Sequence, residues 1–426
     1  MVSDMNVPTF FSRSSSENRN YFLLLLIVIT FPYSFKAQIT SILIILLIAN
    51  WLLQGNFISK NKFTYFFIAF FLLHIVGLFF SENRNAGFFE LEKKLSLLIF
   101  PLVLANIPLL SQKQTKNIFL GFVISCFSAS VICLGYALFQ YIAHNDSHYF
   151  SYHPLVEIIG MHAIYMGMYV CFCIFIIVYF FGHLVFDKTD LRKKIVFFLS
   201  IIYFIVFLFL LSARAEIVAF FVISFTGIFI YAFKKRKMFQ AFGLAGILLL
   251  FFAILIYFSP QNKERLKEAI NYKSQYSIDK QWGGRAERLL MWDCSMDLVR
   301  NNLLTGVGIG DSQDELNKCY RTKNYGALLF YPNTQYNSHN QYLQTAIDLG
   351  IVGLIVLLIC FFVVLRSAIL AGNYLGVSFI VLFAVGCFTE SMLCRQQGIV
   401  FYAFFNSLFA FHVLREKAST KMHERD

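Results

Sequence analysis

Long apolar runs alternate with short polar connectors over most of the chain. The runs approach the roughly 20 residues that a helix needs to cross about 30 Å of hydrocarbon. Twelve can be read, at 21–35, 37–53, 63–80, 95–110, 117–142, 158–185, 194–212, 216–233, 239–258, 341–365, 368–388 and 398–414. This pattern predicts an all-α polytopic membrane protein of about twelve transmembrane helices. Only Pro32, Ser34 and Lys36 break the first two runs apart, so one helix there is an alternative that gives eleven spans and moves the N-terminus across the membrane. The first twenty residues are polar and no small-residue cleavage site follows the first run, which predicts an uncleaved first helix. The serine-rich stretch at 12–16 reads as a tail. No repeat of fixed period is visible, and the inverted symmetry common in transporters finds no support.

One polar stretch is long enough to fold. Residues 259–340 separate an N-terminal transmembrane region of about nine helices (1–258) from a C-terminal region of about three helices with a tail (341–426). Inside it, 261–270 and 285–301 read as helices, the second with Leu289, Trp292, Met296 and Val299 on one face. An amphipathic lid anchored at the membrane surface by Trp292 is the plainer reading of that face. Lys and Arg in short connectors set the orientation: with the N-terminus inside, nineteen fall on the cytoplasmic side and six opposite. Both termini are therefore expected in the cytoplasm and the loop outside. Its own eleven basic residues do not weigh against this, because long loops cross largely regardless of charge.

Composition narrows the classes. Of 426 residues, 58% are hydrophobic and 14% charged, against about 25% charged in soluble domains, so lipid is the main solvent. The net charge of +12 comes from short clusters between apolar runs, where it signals topology, and nucleic acid is excluded as a partner. Seven of nine cysteines (Cys126, Cys133, Cys171, Cys173, Cys360, Cys387 and Cys394) lie in or beside apolar runs and act as small hydrophobes. Cys294 and Cys319 share the loop, where an oxidising compartment would permit a disulfide; spacing alone does not decide it. No Asp, Glu and His cluster has the spacing of a metal site, and no cofactor is expected.

Candidate chemistry gathers around the loop. Thr305-Gly306-Val307-Gly308-Ile309-Gly310 allows unusual backbone angles and close approach, and turn formation is favoured over a dinucleotide fingerprint, which needs a preceding strand. Asn337-Ser338-His339-Asn340 leads into an apolar helix. With Asn337 or Ser338 as N-cap, His339 falls in the first turn, where the helix dipole keeps the ring neutral as a general base requires. A hydrogen-bonded interfacial histidine is the alternative. Arg214 stands between two apolar runs, where a charge is expensive and marks a functional candidate; a structural pair with Glu216 competes with that reading. Arg285 and Arg288 are three residues apart on the loop helix, and guanidinium groups from separate elements suggest a phosphate-bearing substrate.

These residues resemble the O-antigen ligase and O-antigen polymerase superfamily of bacterial membrane glycosyltransferases. The resemblance rests on Ser212-Ala213-Arg214 entering a helix, Arg288 four residues before Trp292, the glycine run, and His339-Asn340-x-x-Leu343 with Gly350 and Gly353 behind it. It covers about 195–365 by motif and the rest by helix layout. The proline that often precedes the glycine run is replaced by Leu303-Leu304-Thr305. The resemblance implies a GT-C-like enzyme of the inner membrane, independent of metal and nucleotide, with its active site facing the periplasm. Such an enzyme takes a glycan from undecaprenyl diphosphate and moves it to an acceptor sugar, lipid A-core first among the acceptors. By position, Arg214 and Arg288 would hold the diphosphate and His339 would activate the acceptor hydroxyl. Arg285, Lys93, Lys94, His162 and Asn340 would be further diphosphate or glycan contacts, with snorkelling the plainer reading of the lysines. An O-antigen polymerase or protein O-oligosaccharyltransferase of the same superfamily is the first alternative. A transporter or receptor is the second.

Overall fold

The computed structural model describes residues 13–34, 37–55, 62–185, 191–258, 284–329 and 336–414, and among these all regular structure is helical. Helix α1 (Arg13–Thr30) and α2 (Ala37–Leu53) are separate, and α1 reaches back into the serine-rich stretch read as a tail. There follow α3 (Lys62–Phe79), the short α4 (Arg84–Lys93), α5 (Ser96–Asn106), α6 (Gln112–His144), the short α7 (Tyr152–Glu157), α8 (Ala163–Phe181), α9 (Leu191–Leu210), α10 (Arg214–Lys235) and α11 (Met238–Phe258). The polar loop contributes α12 (Gly284–Asn301), α13 (Ser312–Thr322) and α14 (Gly326–Leu329). The chain then returns to apolar helices α15 (Gln341–Leu370), α16 (Tyr374–Gly386) and α17 (Gln396–Leu408). Every apolar run expected to span lies on one of these helices, while α4 and α7, with mixed composition, were not expected.

Among the described residues, five helices are long and apolar enough to cross a membrane by length and composition: Gln112–His144, Ala163–Leu184, Leu191–Leu210, Arg214–Lys235 and Gln341–Leu370. The chain is thus a polytopic helical membrane protein. Local sequence sets several boundaries. α6 begins at a capping box in which Ser111 and Gln114 satisfy each other's backbone N–H groups, and ends at Asn145 in the left-handed region. α8 is apolar on every side and is buried without interruption from Ala163 to Ile177, as a central helix must be. Around it, Phe122, Phe172, Phe379 and Phe401 pack with Phe405 at centroid distances of 4.9 to 5.9 Å. Where lipid is the solvent, shape-matched packing of this kind holds helices together, since burial gains nothing over hydrocarbon.

The loop has its own small core of Leu290, Leu298, Leu316 and Tyr320, closed by a Cys294–Cys319 disulfide with the Cα atoms 5.8 Å apart. On its exposed side Lys323 bridges Asp293 and Asp297, each at 2.5 Å. The expected helix at 261–270 lies outside the described residues.

The loop is joined to the bundle through backbone. At Gly350 (φ 65, ψ −167) helix α15 breaks. An unbroken helix would pair Ile351 N–H with the Ile347 carbonyl. Here Val307 N–H donates to the Ile347 carbonyl and Ile351 N–H donates to the Leu303 carbonyl, both at 2.8 Å. The segment 303–307 therefore takes over both groups that the break releases, which matters at membrane depth, where each unsatisfied backbone group costs several kcal/mol. Two glycines make this approach possible. A Cβ on Gly350 would lie 2.2 Å from the Leu304 carbonyl oxygen, and one on Gly306 (φ 69) would lie 2.4 Å from that of Ile347. Further along, the Gly310 N–H donates to Ser81 Oγ, and Asp311 accepts from the Glu82 and Asn83 N–H groups, fixing the loop to the α3–α4 turn. The G-x-G-x-G run is a docking seam.

Gly350→Ala should lower the thermal unfolding temperature markedly, since a left-handed alanine costs about 1 to 3 kcal/mol before the carbonyl clash is counted. Gly227→Ala, with open space around it on the same class of helix, is the control and should be neutral or slightly stabilising. Equal unfolding temperatures for the two variants in the same detergent would contradict the seam.

Candidate active site

The helix that follows the loop begins two or three residues later than an N-cap at Ser338 or Asn337 would set it. Asn340 is the N-cap of α15, accepting from Tyr342 N–H (2.9 Å) and Leu343 N–H (3.1 Å), while its own amide donates to the Phe388 carbonyl. His339 therefore precedes the helix and does not sit in its first turn. It adopts a left-handed backbone (φ 42), with its N–H donated to Asn337 Oδ1 at 2.9 Å. A non-glycine residue held in this region is a strain often kept at functional sites.

What holds the ring is a carboxylate. His339 Nδ1 lies 3.1 Å from Glu390 Oε2, with the histidine side chain 25% exposed and the glutamate 4%. An ionised carboxylate only accepts, so Nδ1 carries the proton and Nε2 keeps the lone pair that a base needs. Burial alone would raise the Glu390 pKa. The hydrogen bond from His339, with the Arg395 guanidinium, outweighs it and holds the carboxyl at about 2. The turn carrying Glu390 is pinned to the start of α15: Gln341 N–H donates to the Cys387 carbonyl, Leu393 N–H to Gln341 Oε1, and Ser391 Oγ to Asn337 Oδ1.

Three more elements converge here. His162 caps α8, accepting from Ile164 N–H, and its ring stacks edgewise on His153 at 3.8 Å. Burial first, then the neighbouring His153 charge, push it down to about 3, so it is neutral at physiological pH; Glu390, Arg395 and His339 are also within its electrostatic reach. From α12, Arg288 approaches Glu216 and Glu287, and Glu287 in turn feels His339. Glu216, on α10, is 1% exposed, and neither of its oxygens has a hydrogen-bond partner among the described residues. Arg214 opens α10 after Ser212, which turns the chain with φ 49. An arginine at the positive end of a helix dipole concentrates positive potential, an arrangement suited to an anion.

Not every expected contact joins this group. Lys93 and Lys94 both bind Glu90, Lys94 at 3.1 Å. Lys94 is 2% exposed and reaches Asp348 of α15, which also takes hydrogen bonds from Gln344 and Ser312. That places Lys94 in a structural network, linked to the site through Gln344, which accepts from Ser338, and through Cys394 beside Arg395. Asn340 is spent on its cap. The Arg285 side chain lies outside the described residues. Glu390 and Arg395 were missed as site residues, although the rule that singled out Arg214 applies to both: charges between apolar runs, here 368–388 and 398–414, are expensive. Among the described residues no group of three or more His, Cys, Asp and Glu side chains is arranged to hold a metal ion.

Such a chain is a multi-pass helical membrane protein with a histidine–carboxylate pair and several guanidinium groups gathered near one docked loop. Residues 195–358, from α9 through the loop into α15, match the family model described as O-Antigen ligase. No curated protein matches it. The family match points to a ligase-like enzyme with a glycan donor and an acceptor as partners.

Because the folded Glu390 titrates at about 2 against an ordinary 4.5, its pairing stabilises the fold fully above pH 4.5 and is lost as pH falls toward 2. Wild type should therefore unfold at a higher temperature than Glu390→Gln at neutral pH. The gap should close between pH 4.5 and 2; a gap independent of pH would place the ionised pair elsewhere.

Proposed function

We propose that this chain transfers an oligo- or polysaccharide from undecaprenyl diphosphate to an acceptor sugar, lipid A-core being the acceptor, on the periplasmic side of the inner membrane. The observation that carries this is the His339–Glu390 pair at 3.1 Å, set among guanidinium groups inside a segment that matches an O-antigen ligase.

The chemistry follows from the residues. His339 Nε2 takes the proton of the acceptor hydroxyl while Nδ1–H stays on Glu390, so the imidazolium that forms is stabilised where it forms. The hydroxyl oxygen bonds to the anomeric carbon with inversion. The bond from that carbon to the diphosphate oxygen breaks, and the leaving diphosphate takes the electron pair. Arg288 and Arg214 offer planar forks of donors to that growing charge, in a site partly shielded from water. Neutral His162 adds a polar wall without competing for the phosphate. The GT-C-like architecture and the twelve-span count belong to the same proposal. The Cys294–Cys319 disulfide supports a loop in an oxidising compartment, and with it cytoplasmic termini.

Two experiments test this. With purified enzyme, lipid-linked donor and acceptor, His339→Ala should cut turnover by about 10²- to 10⁴-fold while donor affinity stays near normal. Arg214→Lys and Arg288→Lys should instead weaken donor binding, because lysine keeps the charge but loses the fork. Near-normal turnover in a folded His339→Ala enzyme would remove the histidine from the reaction. Separately, cysteine labels at Gln275 and Lys235 should differ toward an impermeant reagent applied from outside, with only the first reacting.

A further inference from the structure

An open cleft, with about 530 Å³ of non-atom space that includes open solvent, lies between α1, α2, α5, α8 and α17. Among the described residues its lining carries seven hydroxyl groups, two side-chain amides and three apolar side chains, and no charged side chain. Lipid tails do not call for such a surface, since unmatched polar groups against hydrocarbon are costly.

Several of the polar groups are already oriented by one another. Gln397 donates to Ser34 Oγ at 2.6 Å, Thr40 Oγ1 donates to Thr30 Oγ1 at 2.7 Å, and the Tyr169 hydroxyl donates to the Gln397 carbonyl. Two others, the Ser96 hydroxyl and the Gln396 amide, have no hydrogen-bond partner among the described residues. Phe31 and Tyr33 add aromatic surface.

The cleft adjoins the candidate active site on two independent paths. Gln396 and Gln397 directly follow Arg395, whose charge reaches Glu390 and His162. Ser34 N–H donates to the carbonyl of Ile159, three residues before His162. It faces away from Glu216: Gly167, which packs on Glu216, and Tyr169 of the cleft are two residues apart on α8 and so face different sides.

We infer that this cleft is a binding subsite for a neutral sugar residue of the acceptor glycan. Ring hydroxyls would bond to Ser96, Gln396 and Gln397, and a C–H face of the ring would rest on aromatic surface. The inference rests on the glycan-transfer reading above. It adds which surface holds the acceptor and that this surface selects an uncharged sugar.

The test uses the full chain in phosphatidylethanolamine–phosphatidylglycerol nanodiscs, with methyl α-D-glucopyranoside as the probe followed by saturation-transfer NMR. Binding should be seen in the wild type and should persist in His339→Ala. Gln396→Ala and Ser96→Val each remove one hydrogen-bonding group and should weaken binding by about three- to tenfold. Thr40→Phe, which fills the cleft, should abolish it. In transfer assays the first two variants should raise the acceptor KM by a similar factor and leave donor KM and kcat unchanged. No binding in the wild type overturns the inference, as does unchanged affinity in folded Gln396→Ala and Ser96→Val enzymes. Because glycoside binding is read without turnover, an inactive wild type would remove the transferase reading and leave this one to be judged by its own result.

Discussion

The structure depends on an exchange of two backbone hydrogen bonds at Gly350. A helix that crosses lipid normally keeps all its amide pairs to itself, and α15 gives one up, accepting Val307 N–H at the Ile347 carbonyl and donating Ile351 N–H to Leu303. The loop is thereby wedged into the membrane helix and does not lie across its end. Since the same helix starts at Asn340, beside His339, and the same loop carries Arg288, one seam sets base and guanidinium in register. The α3–α4 turn closes the arrangement from the other side through Asp311. Glycine is required at the crossing because two main chains meet there with no room for a side chain.

Buried acid is the second organising feature. Glu390, on the turn after α16, and Glu216, on α10, are 3% and 1% exposed, with Arg288 and Arg395 within electrostatic reach of one or the other. Carboxylates so placed are costly unless something nearby makes use of them. For Glu390 the partner is His339, whose tautomer it sets. The surrounding field then suits a reaction in which positive charge appears on the imidazole while negative charge grows on a leaving diphosphate. Lys94 shows the contrast. It is equally buried, but Glu90 and Asp348 answer its charge within the scaffold, and it supports the α4–α5 corner and α15 without facing the reaction.

Much of the fold could be read along the chain, because the apolar period and the length of each run reflect one constraint, the thickness of hydrocarbon, which acts on every segment independently. The runs at 117–142, 194–212 and 216–233 became α6, α9 and α10 within a few residues on that ground. The helix at 284–301 followed from its own spacing of Leu289, Trp292, Met296 and Val299. Gly350 could be named as part of a motif, but its role as a break could not. A glycine inside an apolar run looks the same whether the helix continues or a distant loop takes over its hydrogen bonds.

The site divides along the same line. Arg214 could be named from sequence because a charge between apolar runs is expensive, Arg288 from its place on the loop helix, and His339 from its place at the start of an apolar helix, all local signals. Tertiary structure alone decided their partners. His339 and Glu390 are 51 positions apart and meet only because the turn after α16 is tied to Gln341. Asn340, expected to touch substrate, is committed to capping by a backbone geometry that residue identity does not fix. Lys94 changed from a candidate phosphate ligand to a scaffold ion pair because Glu90, one turn away, and Asp348, on another helix, share its pocket. Sequence by itself determines which groups the membrane will not tolerate alone; which group answers each of them is a matter of distance in space, and only the packed helices supply that distance.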